Sequence, residues 1–173
     1  MPCRTVLSVL FLLGFAAACR TGGPIRPELM TAGSPPKALV DDVKARWNGA
    51  TVLTTIAAGQ PCSGTALAHP AYVSGDFNGD GSIDGALWIS GPQGSQLVAG
   101  LIQTDRFAVV EVTAADPASL GLSKRPRGTK YNRPEDPLDL YFSADTLVTS
   151  RCGERPVAYI WNGMGFTTQP LTE

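Results

Sequence analysis

The chain has 173 residues, 43% of them hydrophobic, with 14 basic and 15 acidic side chains and a formal net charge of −1. That length suits one domain with a real core, and so even a charge balance gives no sign of a nucleic-acid partner. A single histidine, His69, beside four cysteines falls short of a structural zinc set once the cysteines are assigned.

In chain order, Arg4 precedes VLSVLFLLGFAAA, an unbroken apolar run from Val6 to Ala18. The run is shorter than the ~20 residues a spanning helix needs, and it ends in small residues, as a secretory signal does. Phe15-Ala16-Ala17-Ala18-Cys19 resembles the lipobox of bacterial lipoproteins, with Ala16 where Leu is the commoner residue. The resemblance implies that residues 1–18 are removed and that Cys19 becomes an acylated first residue carrying palmitate-type chains. Several acyl chains anchor stably where one would be marginal. An ordinary signal cut after A-x-A, with Cys19 incidental, is the alternative. Arg20 stands where an Asp would favour the inner membrane, so the expected location is the outer membrane, facing the periplasm. Cys3 leaves with the signal and Cys19 is taken by lipid. Cys62 and Cys152 remain in an oxidising compartment, where a disulfide between them is expected.

Residues 19–36 hold the lipidated cysteine and a Gly/Pro-rich tether, RTGGPIRPELMTAGSPP, which the prolines keep semi-extended. Residues 37–173 form the globular part. Leu39, Val40, Val43 and Trp47 recur at helical spacing, so a helix over 37–47 is predicted, starting after Ser34-Pro35-Pro36 and stopped by Asn48-Gly49. Lys37, Asp41, Asp42 and Lys44 occupy its other face. Strands are predicted over 51–57, 71–74, 85–90, 97–104 and 107–113, with a tight turn at Asp105-Arg106. A further meander runs over 138–142, 146–151 and 157–161, and a hairpin at Asn162-Gly163 leads into 166–169. Asp116-Pro117 starts a helical turn ending at Gly121. The fold class expected is α+β, mostly β: an N-terminal helix packed on an antiparallel sheet or meander, in one domain.

The stretch SGDFNGDGSIDG, Ser74 to Gly85, carries the chemistry. Asp76, Asn78 and Asp80 alternate at positions 1, 3 and 5 of a loop, the spacing that delivers oxygen ligands to calcium. Gly81 allows the sharp turn at position 6, and Ser82 offers a main-chain carbonyl at position 7. Ile83 is expected to point into the core and pin the loop, and Asp84 adds a carboxylate at position 9. The pattern resembles the Asp-x-Asn-x-Asp-Gly-x-x-Asp calcium hairpins of FG-GAP and VCBS repeat proteins, over Val73 to Trp88 alone. An EF-hand would need a carboxylate at position 12, where Leu87 stands. Tyr159 to Phe166 (YIWNGMGF) also resembles the hairpin that closes such proteins. No second copy of the loop motif exists, which excludes a propeller of several blades. The expected ligand is one weakly held Ca²⁺ on Asp76, Asn78, Asp80, Ser82 and Asp84.

Lys124, Arg125, Arg127, Lys130 and Arg133 crowd a Pro/Gly-containing stretch before Pro137. It reads as a solvated loop kept out of the sheet, with a patch for an envelope protein or anionic polymer as the functional alternative. No G-x-S-x-G elbow and no phosphate-binding glycine loop occurs, and no motif surrounds any carboxylate pair. The function expected is a non-catalytic structural or binding role in the envelope. A small hydrolase acting on envelope polymer is the alternative.

Overall fold

A computed structural model of the protein describes residues 33–56, 69–117, 120–133, 136–151 and 153–172. The signal segment, Cys19, most of the tether, Cys62 and Cys152 lie outside the described residues. The expected fold class holds: among the described residues one helix and thirteen strands, all paired antiparallel, form a mostly β domain.

Helix α1, Lys37–Arg46, begins at Pro36, whose extended backbone (ψ 142°) ends the tether without a side-chain cap. The Trp47 N–H still donates to the Val43 carbonyl, and Gly49 at φ +79° turns the chain away. Lys44 and Arg46 in the last turn suit the negative end of the helix. Leu39 and Val43 are fully buried, and Trp47 packs at the rim of the same cluster. Asp42, predicted on the solvent face, instead accepts the Phe107 N–H at 3.0 Å and ties the helix to the neighbouring sheet.

The predicted strand at 51–57 is two short pieces, β1 (Thr51–Val52) and β2 (Thr55–Ile56), the latter paired with β3 (His69–Pro70). The first sheet centres on β5 (Asp84–Gly91). Along one edge of β5 lie β4 (Tyr72–Gly75) and β1, end to end; along the other run β6 (Gly94–Gln103) and then β7 (Arg106–Ala114). The turn between β6 and β7 is Thr104-Asp105, one residue earlier than predicted, with Thr104 at φ +60°. The second sheet runs β13 (Phe166–Pro170), β12 (Val157–Trp161), β11 (Thr146–Ser150), β8 (Gly121–Arg125). A ribbon of β9 (Lys130–Arg133) and β10 (Asp136–Tyr141) pairs with neither as a strand.

The sheets face one another across a core that includes Phe77, Trp88, Leu97, Leu101, Leu147 and Tyr159. On the far side of the first sheet, α1 sets Leu39 and Val43 against Leu87, Ile89, Val98 and Phe107. The central strand is therefore covered on both faces, which is why Ala86-Leu87-Trp88-Ile89 reads as a continuous apolar run without alternation. Gly85 and Gly100 are direct cross-strand partners, and a Cβ on either would strike Leu39. The two glycines make a bare patch into which the helix seats its first core leucine.

Outside the second sheet, Phe142 is buried with Val148, Ala158 and Leu171, and stacks on Tyr131 of β9 with ring centroids 4.3 Å apart. The basic stretch is therefore not the expected solvated loop. Residues 121–125 pair with β11, and 130–133 form half of the ribbon; only the turn between them is loop. The charged side chains point outward while Leu122 and Tyr131 supply the inward contacts. Among the described residues no helix is long and apolar enough to cross a membrane.

Candidate metal centre

The loop from Asp76 to Ile83 joins β4 to β5, closed by the Gly75–Asp84 pair. Gly79 and Gly81 take φ of +79° and +87°, a region that residues with a side chain rarely adopt. With these two turns the main chain curls around the first carboxylate. Asp76 Oδ1 accepts the Gly79 N–H at 2.8 Å, and Oδ2 accepts the Gly81 N–H at 3.0 Å. Asn78 Oδ1 accepts the Asp80 N–H at 3.0 Å, while its Nδ2 donates to Asp80 Oδ2 at 2.9 Å. Asp80 Oδ1 accepts the Ser82 N–H at 2.7 Å. Slight burial pushes the Asp80 carboxyl up, but the Ser82 N–H and the Asn78 and Ser82 side chains outweigh it and hold it below its ordinary value.

Asp84 has a different place. It is fully buried, with Oδ2 accepting the Phe77 N–H and Oδ1 the Ile102 N–H, each at 2.9 Å. Burial raises its carboxyl to about 6, against the pull of those two N–H groups. Of the five predicted donors it is the lock beneath the loop, joining the loop backbone to β6.

The residue that pins the loop is Phe77, 1% exposed in the core between the sheets, whereas Ile83 is 40% exposed. The expectation for Ile83 is thus corrected. Asp84 takes the inward direction at the start of β5, and its neighbour is turned outward. Leu87, where an EF-hand would place its last ligand, is wholly buried on the helix side of β5.

A second contact on the loop comes from distant sequence. The Asp145 N–H donates to the Asp76 carbonyl at 2.9 Å, and its carboxylate accepts the Arg127 N–H at 2.9 Å and the Lys124 ammonium at 3.0 Å. Burial raises the Asp145 carboxyl, but these two donors outweigh it and hold it below the usual range. A Cβ on Gly75 would lie 2.7 Å from Asp145 Oδ2, so the glycine lets the two segments close. Nothing in the sequence signals Asp145; Phe77 could have been found as the apolar residue between two donors.

The basic residues are divided among β8, the following turn and β9, which belong to different sheets. Lys124 pairs with Asp145 and Lys130 with Asp139 at 2.6 Å, and Arg125, Arg127 and Arg133 are exposed.

All the donors in the loop are oxygens, the ligand type that calcium takes. Each side-chain oxygen of Asp76, Asn78 and Asp80 receives one N–H, which leaves a second lone pair on those of Asp76 and Asn78, while the Ser82 side chain also bonds the Asp80 carboxyl. The residues present therefore fit a hard cation in type and in remaining acceptor capacity. Among the described residues no group of three or more His, Cys, Asp and Glu side chains is arranged to hold a metal ion. In this loop two of the predicted donors are an amide and a main-chain carbonyl, and a third, Asp84, faces the interior. No family model, no curated protein and no solved structure matches the chain.

Proposed function

We propose that the chain is a bacterial envelope lipoprotein, anchored through Cys19, whose β-rich domain has a non-catalytic structural or binding role and carries one weak calcium site in the Asp76–Asp84 loop. The observation that supports it most is the main chain curled around Asp76, which takes both glycine N–H groups of the turn beside Asn78 and Asp80. In this reading Asp76, Asn78, Asp80 and the Ser82 carbonyl hold the ion, and Asp84 keeps the loop seated on β6. Calcium supplies two positive charges that relieve the repulsion between neighbouring carboxylates, and the chain's own residues do no chemistry on a substrate. The site lacks a bidentate carboxylate at position 12, so its affinity belongs with extracellular modules, about 10⁻⁴–10⁻³ M.

Thermal unfolding of the purified protein with chelator and with millimolar calcium tests the proposal. The melting temperature rises with calcium in the wild type and stays fixed in Asp80→Ala. An unchanged melting temperature in the wild type would sink the metal assignment.

A further inference from the structure

A concavity lies away from the loop, between the end of α1 and the turn joining β5 to β6. It has a volume of about 240 Å³, and Trp47, Asn48, Ala50, Ile89, Gln93 and Gln96 are among the residues lining it. Its parts follow from local structure. Asn48-Gly49 stops the helix, and the Ala50 N–H donates back to the Trp47 carbonyl, so Trp47 and Asn48 stand at one wall. Ile89 and Gln96 are direct cross-strand partners on the helix side of the sheet and form the floor. Pro92-Gln93, between the paired Gly91 and Gly94, carries Gln93 to the opposite rim. The Arg46 guanidinium sits 5.0 Å from the centre of the Trp47 ring and steadies the indole.

Two features define what such a cleft takes. The side-chain amides of Asn48, Gln93 and Gln96 have no hydrogen-bond partner among the described residues, so three amide N–H₂ groups and three amide carbonyls stand beside the apolar Trp47, Ala50 and Ile89. Among the described residues, no charged side chain lines the cleft. An aliphatic ligand would strip water from the amides and return no hydrogen bonds. The nearest charge, the Arg46 guanidinium, lies against the Trp47 ring and is not among the lining residues, so an ionic ligand would meet no counter-charge on the cleft wall itself. The volume lies below the roughly 300–1,000 Å³ of sites for drug-sized molecules, which limits the occupant to about one ring. A pyranose meets all three conditions. Its C–H face suits Trp47 and Ile89, and each hydroxyl is both donor and acceptor, as each amide is.

We propose that this cleft binds one uncharged saccharide unit, presented by a glycan of the envelope in which the protein is placed. The inference extends the binding role proposed above and needs no ion in the loop.

The test is a titration of the purified protein with methyl glucoside, methyl galactoside and N-acetylglucosamine, followed by proton–nitrogen correlation spectra. With at least one sugar, the side-chain amide signals of Asn48, Gln93 and Gln96 and the Trp47 indole N–H shift together. Gln93→Ala, in an exposed turn, and Gln96→Ala each weaken that binding about tenfold, the loss of one good hydrogen bond. Absence of those shifts with all three sugars overturns the proposal, as do shifts that persist undiminished in both variants. Running each titration in chelator and in calcium separates the two sites. Sugar binding without any calcium response leaves the cleft standing and overturns only the loop assignment.

Discussion

Phe77 and Ile83 sit six residues apart in one loop and exchange the roles that hydropathy alone suggests. Phe77 fills the core between the sheets, so Phe77→Ala should cost about 3–5 kcal/mol in denaturant unfolding. Ile83→Ala, at an exposed position, should stay within about 0.5 kcal/mol of wild type. Asp84 makes a prediction in pH. Its folded carboxyl titrates at about 6, above the ordinary 3.8, so the folded state binds a proton more readily than the unfolded chain. The stability this group contributes is present below its unfolded value and is lost as pH rises through about 6. Unfolding free energy measured across that window should therefore fall with rising pH, and Asp84→Asn should flatten the slope. The donor residues were legible because their spacing is a local pattern. Asp84's inward turn was not, because its two partners are a loop N–H and an N–H on β6, which only the fold brings together.

Among elements, α1 and the centre of the first sheet are matched through absent side chains. Gly85 and Gly100 lie opposite one another, and Leu39 fills the space their Cβ atoms would occupy. Gly100→Ala should thus destabilise by about 1–3 kcal/mol through overpacking. In Leu39→Ala the added methyl should cost less, a coupling that a double-mutant cycle in denaturant measures. The helix was readable from Leu39, Val43 and Trp47, and β5 from its apolar run. The pairing of two glycines from different strands has no sequence signature. Strands β8 and β9 were hidden for a related reason. Each turns few apolar residues inward, Leu122 in one and Tyr131 in the other, while their lysines and arginines face water. A strand half made of outward charges reads as loop until its partner is known.

At the scale of the molecule, two antiparallel sheets enclose one core, with a helix over one outer face and a ribbon over the other. Asp145 links these parts to the loop, reaching Asp76 through its N–H and the basic turn through its carboxylate. The alternation of donors, the glycines at strained positions and the strand flanks all agree with a calcium hairpin, and the account stands or falls on the ion itself. The direct measurement is a crystal structure grown in millimolar calcium. The account predicts one ion at about 2.3–2.6 Å from side-chain oxygens of Asp76, Asn78 and Asp80 and from the Ser82 carbonyl. The same loop found with its N–H bonds intact, and with no ion among those oxygens, would contradict it.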